Sequence, residues 1–137
     1  KHGEYSEEID IFEVFGKASK EENHRAYYAA VHRYQTPYVE SLVNKKKYKL
    51  ENRYTKVNVS YDFYEDFHIY GFLWTPELLI WYLDGKEVFR RKNDFFKRPL
   101  HIIFDAEIME VWDGLPKLED LPSNFKIDYV RVWRKDE

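Results

Sequence analysis

The sequence contains no cysteine, few glycines and prolines (5 of each), and no apolar run as long as a transmembrane helix. The lack of cysteine excludes disulfide bridges and thiolate metal sites. The net charge of −3 gives no general attraction to nucleic acid, so we expect no nucleic-acid partner. Because no apolar run is long enough to span a bilayer, we also expect no membrane partner. A length of 137 residues favours one domain.

Aromatic residues, by contrast, are abundant and make up 19% of the chain, with 12 Tyr, 10 Phe and 4 Trp. Aromatic side chains favour β-strands, so most of these rings are expected to fill a sheet core. Flat rings also cover the apolar faces of sugars, and aromatic-rich β domains often bind carbohydrate. The composition is therefore compatible with a sugar-binding β domain without requiring one.

Alternating apolar and polar residues predict an all-β chain with no sustained helical period. Asp84-Gly85 is a typical two-residue hairpin turn. We expect antiparallel strands in two stacked, curved sheets. Residues 35–52 are expected to form a long, exposed loop. The predicted strands cover residues 5–15, 25–34, 54–61, 67–74, 78–83, 86–90, 99–111 and 125–133.

Three acids near the start of the chain form the strongest candidate site. Glu8 and Asp10 share one face of the predicted strand because side chains alternate. Glu13 has the wrong parity, but one β-bulge near Ile11 and Phe12 would return it to that face. Two carboxyl groups flanking a bond are the machinery of glycoside hydrolysis. The alternative is an ordinary strand with acids facing solvent.

The stretch E-I-D-I-F-E at 8–13 resembles the signature of glycoside hydrolase family 16, in the variant with an extra residue before the last Glu. Residues 66–76 with 80–85, and residues 125–133, are similar to two further family segments and stand in family order. The resemblance implies a concanavalin-like jelly roll with a concave substrate-binding sheet. The family domain is longer, so residues 1–137 resemble its C-terminal part, with the N-terminal strands missing.

The resemblance also implies a retaining mechanism with Glu8 as nucleophile, Glu13 as general acid and base, and Asp10 orienting the nucleophile. Crowding of the three acids predicts that Glu8 is ionised and Glu13 protonated near neutral pH. His32 resembles a cleft histidine of the algal-galactan branch, and Trp112 could stack on a sugar. Structural roles are equally open for these two side chains.

Residues 112–121 look like the G-L-P-x-x-x-D-L region of agarase, porphyranase and carrageenase-like enzymes, whereas 101–110 lack the Gly-rich stretch of glucan-cleaving members. The resemblance favours endo-hydrolysis of a red-algal galactan such as agarose, porphyran or carrageenan. A laminarinase-type β-1,3-glucan hydrolase and a non-catalytic carbohydrate-binding sandwich are the alternatives. A polymeric substrate suggests a secreted, cell-surface or periplasmic location.

The remaining tryptophans, histidine and basic clusters carry expectations of their own. Trp74, Trp81 and Trp133 are predicted to be core residues, and His68 structural. The basic clusters at 45–47, 90–92 and 97–98 could meet sulfate esters or simply be solvated. No cofactor is required and no metal is assigned, although Asp128 resembles a calcium-ligand position of the complete domain. A complementary N-terminal chain or segment is a further expected partner.

Overall fold

The computed structural model describes residues 5–17, 20–35 and 51–135 of the chain. It confirms the prediction of an all-β fold. The strands are β1 (Tyr5–Val14), β2 (Ala26–Gln35), β3 (Glu51–Asn58), β4 (Tyr70–Trp74), β5 (Leu78–Leu83) and β6 (Lys86–Lys92). Short helices are α1 (Glu21–His24), α2 (Glu110–Asp113) and a 3₁₀ turn (Leu118–Asp120). Most of the expected loop at 35–52, with its lysine cluster at 45–47, lies outside the described residues.

Two antiparallel three-stranded sheets pack face to face, in the orders β1-β2-β3 and β4-β5-β6. Their central strands supply most of the core, because β2 and β5 each present alternate apolar side chains to the other sheet. In the part of the chain that the structure describes, no helix has the length and apolar character needed to cross a membrane. The buried core cluster consists of Tyr27, Ala29, Val31, Phe63, Leu79, Trp81, Leu83 and Phe96.

The hairpin between β5 and β6 forms as the sequence predicts. Asp84 and Gly85 have φ values of 49° and 77°, the left-handed conformations that a tight turn of this type requires. The Asp84 carboxylate accepts hydrogen bonds from the Ile69 N–H at 2.9 Å and the Tyr61 hydroxyl at 3.1 Å. His68 Nδ1 lies 3.0 Å from the same carboxylate, beneath the stacked ring of Tyr61. His68 is therefore structural, as expected.

The predicted strands at 99–111 and 125–133 are not observed. Neither segment has strand structure, and many of their apolar side chains are exposed, with Ile103 and Trp133 each at 78%. A strand requires a hydrogen-bonded partner, and no strand among the described residues pairs with either segment. The prediction that Trp133 is a core residue is consequently wrong, because the described residues leave most of its side chain exposed.

Trp74 and Trp81, which were also predicted to be core residues, differ in burial. Trp81 is fully buried between the sheets, which confirms its assignment to the core. Trp74 lies at the end of β4 and is 38% exposed, so it is a rim residue. Its indole N–H donates to the Phe96 carbonyl at 2.8 Å, which fixes the chain beyond β6 against the end of the sandwich.

Candidate active site

The predicted β-bulge in β1 is confirmed. The register with β2 is regular from Glu8 to Asp10 and resumes at Glu13, with the irregularity between Asp10 and Glu13. On the resumed strand, Phe12 and Val14 pack against the core, so Glu13 faces away from it. The extra residue therefore returns Glu13 to the face that carries Glu8 and Asp10.

Two core side chains donate hydrogen bonds to backbone carbonyls at the bulge. The Trp81 indole N–H donates to the Asp10 carbonyl at 3.0 Å, from the opposite sheet. The Tyr27 hydroxyl donates to the Ile11 carbonyl at 2.5 Å. Because buried carbonyls without a partner are costly, these two bonds stabilise the irregular backbone that orients the acids. Neither partner was singled out for this role from the sequence.

The strand pairing places a second row of side chains directly opposite the acids. Glu8 pairs with His32, Asp10 with Ala30 and Glu13 with Tyr28. Cross-strand partners share a face of the sheet, so His32 lies among the acids. Its Nε2 is 2.9 Å from the Asp10 Oδ2, and both side chains are largely buried.

Asp10 holds its proton more tightly than an ordinary aspartic acid. Burial raises its pKa, and the adjacent Glu8 carboxyl adds to this by charge repulsion and by a hydrogen bond that the protonated Asp10 donates. His32 opposes the rise through its charge and its hydrogen bond, and the net result is a pKa of about 6. Glu8 and His32 thus act on the pKa of Asp10 in opposite directions.

Glu13 shows the same effect more strongly. Burial is the largest cause, and the charges of Asp10 and Glu8 follow; together with weaker repulsion from Asp105 and Glu107 they raise its pKa to about 7. Near neutral pH, a carboxyl group with this pKa is protonated in a large fraction of the molecules. A general acid must be in this protonated form. The direction agrees with the expectation for Glu13 from the sequence.

Trp112 lies beside the acid row but is held by protein contacts. Its ring packs edge-on against Phe15 at 5.3 Å and against Tyr28, the cross-strand partner of Glu13, at 4.7 Å between centroids. The neighbouring Asp113 is buried and accepts a 2.7 Å hydrogen bond from the Asn23 side chain. Trp112 is thus a fixed, partly exposed wall at the Glu13 end of the row.

Glu7 points to the other side of β1, as its parity predicts. Its side chain is only 5% exposed and lies 3.4 Å from the Arg98 guanidinium. It takes no part in the acid row. Among the described residues, no group of three or more His, Asp or Glu side chains, with or without Asp128, is arranged to hold a metal ion.

The sequence alone missed Asp105 and Glu107 as neighbours of Glu13, because the segment at 99–111 was expected to be a paired strand. It also missed Tyr28 and Ala30, whose positions opposite the acids follow only from the register of β1 and β2. The pairing of β1 with β2 on both sides of the bulge is the signal that identifies Tyr28 and Ala30.

Comparison with known families agrees with this geometry. Residues 1–135 match the family model described as "Beta-porphyranase A-D, GH16 domain". The chain therefore belongs to glycoside hydrolase family 16.

Curated relatives include both beta-glucanases and a kappa-carrageenase. A Beta-glucanase of Rhodothermus marinus is 31% identical over 83 residues, covering 50% of this chain and 29% of that protein. The Kappa-carrageenase of Pseudoalteromonas carrageenovora is 26% identical over 88 residues, covering 57% and 22%. The Endo-1,3-1,4-beta-glycanase ExsH of Rhizobium meliloti is 26% identical over 137 residues, covering 98% and 25%. The chain thus spans less than a third of the length of these relatives.

A solved structure supports the fold. The kappa-carrageenase of Pseudoalteromonas carrageenovora, in complex with an oligotetrasaccharide of kappa-carrageenan, superposes with a TM-score of 0.51 at 22% identity. The match covers 72% of this chain and 35% of that one. The two stacked antiparallel sheets are accordingly those of a jelly-roll sandwich.

Proposed function

We propose that this chain carries the catalytic strand of an endo-acting, retaining glycoside hydrolase that cleaves a β-linked polysaccharide. The observation that carries the proposal is the bulge, which gathers Glu8, Asp10 and Glu13 on one face beside His32. Membership of glycoside hydrolase family 16 supports the same reaction class. The proposed reaction uses carboxyl groups and water and needs no cofactor; a structural calcium ion stays a proposal for a complete domain.

In the proposed mechanism, Glu8 attacks the anomeric carbon while Glu13 protonates the departing glycosidic oxygen. The raised pKa of Glu13 supports this assignment, since the group enters the reaction with its proton. The same Glu13, now a carboxylate, then takes a proton from the water that hydrolyses the glycosyl-enzyme. Asp10 holds Glu8 in position through their shared hydrogen bond, and His32 holds Asp10.

We propose a red-algal galactan as the substrate, with Trp112 as a wall of the sugar-binding cleft. The match to the porphyranase family model and the similarity to a kappa-carrageenase favour this choice. A β-1,3-glucan is the second candidate, because a Glucan endo-1,3-beta-glucosidase A1 of Niallia circulans is 27% identical over 88 residues. Since either polymer is too large to enter a cell, we propose that the protein acts outside the cytoplasm.

The direct test replaces Glu8 with Gln and measures reducing ends released from agarose, porphyran, carrageenan and laminarin. We expect the wild-type protein to cleave at least one polymer and Glu8→Gln to lose at least about 10³-fold of that rate. Glu77→Gln, an exposed glutamate just before β5, is the matched control and should keep full activity. Undiminished turnover by Glu8→Gln would end the nucleophile assignment, and binding without any cleavage would indicate a carbohydrate-binding sandwich.

We also propose that further strands cover the exposed apolar segments at 101–111 and 125–133. These segments carry many exposed apolar side chains, and this chain spans only 35% of the kappa-carrageenase chain. Hydrogen exchange can test this in the given chain and in a longer natural chain that contains it. Amides of both segments should exchange rapidly in the first and at least about tenfold more slowly in the second. Equal exchange in both proteins would contradict the proposal.

A further inference from the structure

The register of the first sheet extends the acid row across all three strands. Asp10 pairs with Ala30, and Ala30 with Tyr54 on β3. Likewise Glu13 pairs with Tyr28, and Tyr28 with Lys56. Because paired residues share a face, Tyr54 and Lys56 lie on the same surface as the acids, two strands away.

Tyr54 offers an uncovered aromatic ring on this surface. Its side chain is 67% exposed, whereas Val57, on the other face of β3, packs against the core. Two strand spacings place Tyr54 about 10 Å from Asp10 along the direction across the strands. The side chain between them is the short methyl group of Ala30, so no long side chain of this row separates the ring from the acids.

Lys56 lies two residues beyond Tyr54 on the same face of β3 and carries a positive charge. Its ammonium group lies 5.5 Å from the centroid of the Tyr28 ring, a cation–π contact that directs it toward the Glu13 side of the sheet. Each ionised carboxylate of the acid row repels anions. A sugar that carries an anionic substituent is therefore better accommodated on β3 than at the acids.

We propose that Tyr54 and Lys56 form a separate sugar subsite on β3 for an anionic polysaccharide that lies across the strands. The Tyr54 ring stacks on the apolar face of a pyranose outside the bond-cleaving position. Lys56 pairs with a sulfate ester on that sugar or the next one. This subsite rests on the proposed function, because its ligand is the same polymer that the acids cleave.

Two readouts test the subsite independently of each other: retardation in gels containing porphyran, carrageenan, agarose or laminarin, and kcat/KM for reducing-end release. We expect Tyr54→Ala to weaken retardation and lower kcat/KM by about 3- to 10-fold. Tyr54→Phe keeps the ring and should stay near wild type in both readouts.

Lys56→Met should lower kcat/KM and weaken retardation by about 2- to 5-fold on the sulfated polymers only, and high salt should remove the difference from wild type. Lys86→Met, an exposed lysine of the other sheet, is the control.

The outcomes separate this inference from the proposed function. If the wild-type protein cleaves none of the polymers, the proposed hydrolase function is contradicted. If the gels then still retard Tyr54→Ala less than wild type, the subsite is supported as a binding site. Wild-type cleavage with unchanged retardation and kcat/KM in Tyr54→Ala overturns the subsite and leaves the hydrolase standing. Equal losses of Lys56→Met on laminarin and on the sulfated polymers would overturn the role of the charge.

Discussion

Asp10 in the first sheet and Asp84 in the hairpin turn of the second are the same residue type, and burial acts to raise the pKa of each, but their neighbours differ. Asp10 is crowded by Glu8, and His32 offsets this only partly, so its pKa ends at about 6. Around Asp84, hydrogen bonds from the Ile69 N–H, His68 and Tyr61 outweigh burial and hold its pKa below the ordinary value. A carboxylate surrounded by hydrogen-bond donors stabilises a turn. Carboxyl groups that crowd one another instead retain protons near neutral pH and are able to act as general acids.

The largest expected effect concerns the row of crowded acids on β1. Glu13→Gln removes the proton donor, and we expect kcat/KM for reducing-end release to fall about 10²- to 10⁴-fold. In the wild-type protein, the rate should decline as the pH rises through about 7, because Glu13 loses its proton there. That decline should be absent in Glu13→Gln. A basic limb that persists unchanged in the variant would show that another group supplies the proton.

Stability should respond in opposite directions in the two regions. The Asp84 pKa is lowered, so its carboxylate stabilises the fold above the unfolded pKa, and this is lost as pH falls through the folded pKa. Asp84→Asn keeps a residue that tolerates positive φ but cannot accept all three bonds. We expect it to lower the free energy of unfolding by about 1–2 kcal/mol at pH 7 in urea titrations, with a smaller loss at pH 3.

In the same urea titrations, Glu13→Gln should change the free energy of unfolding in the opposite direction. Its wild-type pKa is raised from 4.5 to about 7, so ionisation of Glu13 destabilises the fold increasingly as pH rises through that window. The variant should be more stable than wild type by about 1–3 kcal/mol at pH 8, with the difference vanishing near pH 4. Equal shifts in the same direction for Asp84→Asn and Glu13→Gln would contradict the contrast between the two regions.

A smaller effect is expected from the hydroxyl that holds the bulge. Tyr27→Phe removes only the donor to the Ile11 carbonyl. We expect a loss of about 1 kcal/mol in unfolding free energy and a fall of about 10-fold in kcat with little change in KM, because the acids lose their alignment. Tyr61→Phe removes a hydroxyl from the Asp84 cluster instead and should leave kcat unchanged. Equal kcat in both variants would show that the bulge does not depend on Tyr27.

Local sequence patterns were sufficient where the structure depends on neighbours along the chain. The parity of Glu8, Asp10 and Glu13 predicted the bulge, and Asp84-Gly85 predicted the hairpin. The same reasoning failed at 99–111 and 125–133. Their patterns are typical of strands, but a strand forms only with a partner, which an amphipathic pattern does not supply.

The sequence by itself determined the β character of the chain and the alternation of its acids along one strand, and its motifs resemble those of glycoside hydrolase family 16. Side-chain alternation and turn chemistry are local, so they can be read along the chain. Only the tertiary structure decided that Trp81 and Tyr27 hold the bulge, that His32 bonds Asp10, and that Tyr54 and Lys56 share the acid surface. Those relations depend on strand register and on packing between sheets, which bring together residues far apart in sequence.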